Sequence, residues 1–113
     1  MAYIDYPTVT VANGVSLSGA INVETHVICA FVTDSGWNTA ALSFQASSDG
    51  TNYFNLYSDG SELTFAAIAA STWVTIDPAR FLGIRHLKVR SGTAGSPVNQ
   101  TGDSVVTVIT RPI

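Results

Sequence analysis

Residues 42–60 read LSFQASSDGTNYFNLYSDG, and the reading of this stretch decides the fold. Leu42, Phe44 and Ala46 alternate with Ser43, Gln45 and Ser47, so an extended segment has one apolar face and one polar face. Period two belongs to a strand, whereas a helix needs its apolar residues every three or four positions. Ser-Asp-Gly then occurs twice, at 48–50 and 58–60. Asp accepts hydrogen bonds from nearby backbone and Gly supplies positive φ, so each tripeptide reads as a chain reversal. A calcium loop of EF-hand type needs oxygen ligands at several alternating positions and a terminal acidic residue. Here each turn offers Asp49 or Asp59 with only Ser, Asn52 or Glu62 nearby, so both are read as turns and no metal or other cofactor is expected.

The same alternation extends in both directions. Val9-Thr10-Val11 precedes the turn dipeptide Asn13-Gly14, and residues 15–18, 21–23, 27–32, 53–57, 63–68, 73–76, 84–90 and 105–110 read as further strands. Asp77-Pro78 opens the one place for a helical turn, because Asp caps it and Pro fits its first position. About eight or nine short strands separated by Gly, Asn, Asp and Ser predict an all-β chain, an antiparallel sandwich or jelly roll. The 113 residues form one domain on length, 1–113, with an N-terminal arm at 1–8.

Composition narrows the class. Hydrophobic residues make up 46% and charged residues 12%, which argues against disorder and leaves an exterior of Ser, Thr, Asn and Gly suited to packing against neighbours. The N-terminus has neither a basic nor an apolar leader region, so a soluble chain made in the cytoplasm is expected. Cys29 lies in the apolar run 27–32 and reads as a small core hydrophobe.

No catalytic residues are expected. Residues 14–19, GVSLSG, lack the spacing of a nucleophile elbow, and His26 and His86 have no further ligand at zinc spacing. Arg80, Arg85, Lys88 and Arg90 are four of the five basic residues, and His86, Lys88 and Arg90 share one strand face. At a net charge of −3, this stripe reads as a solvated face paired with Asp49, Asp59 or Glu62 rather than a nucleic-acid site. Membrane contact is not expected either.

Partner binding is assigned to three places. Trp37 stands among turn formers in the loop 33–40, where it either caps the core or anchors a partner. Asn99 and Gln100 lie in the long loop 91–103. Tyr3, Ile4 and Tyr6 crowd apolar area onto a terminus, where such residues are commonly tied down, either on a partner or on the domain's own sheet.

Trp37, the segment 42–51, the run DPARFLGIR at 77–85, and KVRSGT at 88–93 with PVNQ at 97–100 resemble small β-sandwich virion structural proteins of tailed bacteriophages. The resemblance covers about residues 35–110. It implies a jelly-roll or galactose-binding-like fold and a capsid decoration (cement) protein on the head exterior, bound to the major capsid protein and to copies of itself as a homotrimer. The alternative is a carbohydrate-binding or fibre module that meets a glycan of the host surface through Trp37 and the loop 91–103.

Overall fold

The structure of the chain, a computed structural model, describes residues 4–112. The first strands are β1 (Thr8–Val11), β2 (Leu17–Asn22), β3 (His26–Thr33) and β4 (Ala40–Ser47). Short strands follow: β5 (Phe54–Asn55), β6 (Tyr57–Ser58), β7 (Ser61–Glu62), β8 (Phe65–Ile68) and β9 (Trp73–Thr75). A 3-10 turn (Pro78–Phe81) leads into β10 (His86–Ser91) and β11 (Ser104–Pro112).

Two antiparallel sheets result. Sheet A has the order β1-β11-β3-β9, and sheet B has β2-β10-β4 with its fourth place shared by β5 and β8 along the two halves of β4. The pairing is nested: β1 with β11, β2 with β10, β3 with β9 and β4 with β8. The first half of the chain therefore pairs in reverse with the second half, as one long hairpin folded over into two layers. This is the jelly-roll form of an all-β sandwich.

Alternation fills the space between the sheets. Val9, Val11, Phe31, Leu42, Phe44, Leu87, Val89, Val106 and Val108 all belong to the buried cluster. Phe31 stacks on Phe44 with ring centroids 4.9 Å apart, and Phe81 reaches both rings at 5.7 and 5.4 Å. The 3-10 turn delivers Phe81 as its sequence requires. Asp77 Oδ1 accepts the Ala79 N–H at 3.1 Å, and Pro78 occupies a first position that needs no N–H. Cutting any of these rings back to Ala costs about 3–5 kcal/mol.

The strands differ from the sequence expectation in three places. Residues 15–18 and 21–23 do not form two strands, because β2 runs continuously from Leu17 to Asn22; the turn at Asn13-Gly14 carries the chain from sheet A to sheet B and closes no hairpin. The expected strand at 53–57 is broken into β5 and β6, which pair with different neighbours. The chain leaves sheet B there for the β6–β7 hairpin, closed by Asp59 and Gly60 at φ 53 and 82, the two positive values that a type I′ turn demands. Finally, Cys29 is not a core residue. The β3–β11 register slips between Ile109 and Thr110, opposite Ala30 and Ile28, so Ile28 and Phe31 both reach the core while Cys29 bulges between them, half-exposed.

Candidate interaction surface

The outward side of sheet A is built from the residues that alternate with the core set. One row across the strands is Thr8, Thr107, Val32 and Trp73; the next holds Ile109, Ala30 and Thr75. The register extends the second row to Tyr6, since Asp5 pairs with Thr110 and Thr8 with Thr107. Thr10 and Val105 continue the face at one end, and Arg111 with Val27 bounds it at the other. Arg111 is the charged residue among those named. Tyr6 at one edge is 56% exposed and Trp73 at the other is 57% exposed. With strands about 4.8 Å apart and a rise of about 3.4 Å per residue, the face covers roughly 300 Å² in plan. Ile109 and Ala30 are buried within it, so its exposed part is Tyr6, Thr8, Thr10, Trp73, Thr75 and Arg111. Patches of about 300–600 Å² on a monomer are often functional.

The N-terminal segment contributes to this face through its own pairing. Asp5 exchanges backbone hydrogen bonds with Thr110 at 2.8 and 2.9 Å, and Pro7 O accepts the Val108 N–H at 2.7 Å. The described part of residues 1–8 is thus an extension of β1 on the domain's own sheet, the second of the two alternatives for this segment. Ile4 and Tyr6 still present their side chains outward and exposed, while Tyr3 lies outside the described residues. Behind the segment, Asp5, Asn22, Glu24, His26 and Thr110 line a cleft of about 250 Å³, below the usual range for small-molecule sites. Among the described residues, no three His, Cys, Asp or Glu stand where they could share a metal ion.

Two of the expected partner residues are interior, and this is a correction. Trp37 is 3% exposed, belongs to the core cluster, and donates its indole N–H to Ile68 O at 3.1 Å. It closes one end of the sandwich, since Asp34 O accepts its backbone N–H and Asp34 Oδ2 takes the N–H of Val105. Gln100 is 1% exposed and spends its whole amide on neighbours. Its Oε1 accepts from Asn38 N and Ser104 Oγ at 2.7 and 3.0 Å; its Nε2 donates to Asn38 O and Ser91 Oγ at 3.2 and 2.8 Å. Asn99 beside it is exposed. The loop 91–103 is accordingly a clasp: Gly92 bridges Pro97, and Gln100 joins it to the loop 34–38 and to residues 14–15. At Gly92, φ is 89 and an added Cβ would sit 2.5 Å from Ser96 O, so only glycine fits.

The basic stripe on sheet B is engaged within the chain. Arg90 is buried against Glu62 at 3.1 Å and Asn55 at 2.6 Å; Lys88 Nζ lies 4.4 Å from the centre of the Tyr53 ring; His86 packs on the turn at Gly50. Glu62 is the expected turn carboxylate, but the β6–β7 excursion brings it over Arg90 as a lid, so the face is covered there rather than solvated. Asp49 is likewise committed to its own turn. Backbone N–H groups of Asn52 and Thr51, then the side chains of Asn52 and Ser47, donate to it and hold its carboxyl far below the usual carboxylate range.

Trp73 lies on the side of its strand opposite Val74 and Ile76, as the parity of the expected strand 73–76 requires. Sequence reasoning did not single out Phe54, Tyr57 or Leu82, which are exposed at the broken edge of sheet B and near the 3-10 turn. No family model matches this chain, and no curated protein matches it at a significant level.

Proposed function

We propose that this chain is a non-enzymatic structural component of a tailed-bacteriophage particle, a decoration protein that seats on the head exterior through the outward side of sheet A. The observation that carries the reading is a nearly uncharged face, with Thr8, Thr10 and Thr75 exposed, Val32, Val105 and Thr107 half-buried and Ile109 and Ala30 buried among them, bounded by the exposed rings of Tyr6 and Trp73. Exposed aromatic rings are the anchors that protein contacts favour, and Thr hydroxyls beside them can complete hydrogen bonds across a contact. The resemblance over residues 35–110 supports the particle and the capsid as its setting. Stabilisation then follows from mass action: a protein that binds the assembled shell and not its free subunits shifts the equilibrium toward the shell.

The sugar-binding alternative loses its intended anchor, because the Trp37 ring is enclosed. Co-sedimentation of the purified chain with undecorated heads tests the proposal. Trp73→Ser and Tyr6→Ser should each weaken binding at least about thirtyfold, since truncating an interfacial aromatic costs about 2 kcal/mol or more, while the melting temperature stays put. Heads that bind both variants as tightly as the parent sink this reading, as does finding the protein only in fibres.

A further inference from the structure

We propose that the free edge of β1 is a strand-addition site whose occupant is β1 of a second copy of this chain, antiparallel about a twofold axis through Thr8. In an antiparallel ladder, alternate residues aim both backbone groups at the same neighbour. Asp5 and Pro7 aim theirs at β11, so Tyr6, Thr8 and Thr10 aim N–H and C=O away from the sheet, and all three residues are exposed. A proline ordinarily blunts an edge by its missing N–H. Here the gap of Pro7 falls on the β11 side, where its carbonyl is bonded, and the outer row is unbroken.

Natural sheets protect their edges with short strands, bulges or charges. The other edges of this sandwich do so. β9 has three residues, β2 is bulged against β10, and the fourth place of sheet B is split between β5 and β8. β1 pairs in unbroken register over Thr8–Val11 and carries neither a charge nor a bulge. The remaining guard is Asp5, whose Oδ1 accepts the Tyr6 N–H at 3.2 Å and must release it on pairing.

The strand is complementary to itself. A twofold axis at Thr8 sets Thr8 against Thr8 of the second copy, and Tyr6 against its Thr10, with both backbone bonds exchanged at each pair. Thr–Thr and aromatic–Thr neighbours are favourable cross-strand pairs. The two Asp5 carboxylates stay apart, each opposite Val11 of the other copy. The contact is isologous and closes as a dimer, in place of the trimer implied by the family resemblance. It also joins two outward faces into one, where a single face falls short of the roughly 800 Å² per partner of a standard interface. The pairing stands on the edge geometry alone and is independent of the capsid reading.

Sedimentation equilibrium on the full chain, without particles, tests it. The parent should sediment as twice 11.9 kDa at micromolar concentration. Thr8→Lys and Thr8→Glu each place like charges face to face and should sediment as folded monomers, with dissociation constants raised at least about tenfold. An equimolar mixture of the two should restore the dimer, because opposite charges then meet across the axis. Trp73→Ser, on the far edge, should leave the dimer intact. A parent that stays monomeric throughout overturns the proposal, and so does an oligomer that Thr8→Lys leaves unchanged or a mixture that fails to re-pair.

Discussion

Arg90 Nη1 lies 3.1 Å from Glu62 Oε2 on the outward side of sheet B, and the same carboxylate oxygen accepts the N–H of Ala94 at 3.0 Å. A hairpin that leaves the sheet at β5 and a loop that leaves it after β10 are thereby fastened over a single guanidinium. Arg90 would be costly to enclose alone, and two further donors go to Asn55 and Ser43.

Glu62→Ala should destabilise the protein by about 3 kcal/mol, at the low end of the range for breaking a buried pair, because Asn55 and Ser43 stay in place. Glu62→Gln, which keeps an acceptor, should cost less. Urea unfolding with an unchanged m-value is the measurement. A loss below about 0.5 kcal/mol for Glu62→Ala would mean that the lid opens to water without penalty.

Adjacent residues in the clasp should respond in opposite ways. Gln100→Ala removes four side-chain hydrogen bonds in a closed site and should cost about 3 kcal/mol, whereas Asn99→Ala should change stability by less than about 0.5 kcal/mol. Thermal melts of the two variants decide this. Equal effects would show that the clasp is not organised around Gln100.

Cys29 should react with a thiol reagent in the native protein. The bulge leaves it partly exposed and outside the buried core cluster, with Sγ 3.5 Å from Val27 O, so Cys29→Ala should cost under about 1 kcal/mol. Labelling that proceeds only at the rate of global unfolding would return the thiol to the interior.

The turn at Asp49 should register in acid. Its folded carboxyl is held below the ordinary value of 3.8 by the amides of Asn52 and Thr51, so the unfolded chain takes up a proton first as the pH drops. The stabilisation is complete above that value and drains away as the pH falls toward the lower folded one. Asp49→Ala should therefore have a lower melting temperature than the parent at neutral pH, and the gap should narrow steadily below pH 3.8. A gap that widens in acid contradicts the sign.

Alternation made the sandwich legible, because every strand of the core is half buried and so writes period two into the chain. Leu42–Ser47 shows it without interruption, whereas the apolar pairs Val105-Val106 and Val108-Ile109 blur it in β11. Where burial is not alternate the pattern is silent: Cys29 sits in an apolar run because a bulge, set by the partner strand, turns it outward. The partner residues were harder to read for a related reason. Trp37 and Gln100 look like loop residues in one dimension, and only the meeting of the loops 34–38 and 91–103 at one end of the sandwich encloses them. Tyr6 and Trp73, by contrast, are exposed through simple strand parity, which sequence carries.

The nested pairing also governs how the protein comes to exist. β1 can close against β11 only after Ser104–Pro112 have been synthesised, and each enclosed pair must bring together segments far apart along the chain. Loop-closure entropy is then spent before the contacts that reward it, so folding should be slow for a chain of this size and should begin at the tip, where β4 and β8 are nearest in sequence. Until β11 arrives, the apolar sides of β1 and β3 face water unpaired. The nascent chain before β11 docks is therefore more prone to associate than the finished domain, and the yield of folded protein depends on how fast that strand docks.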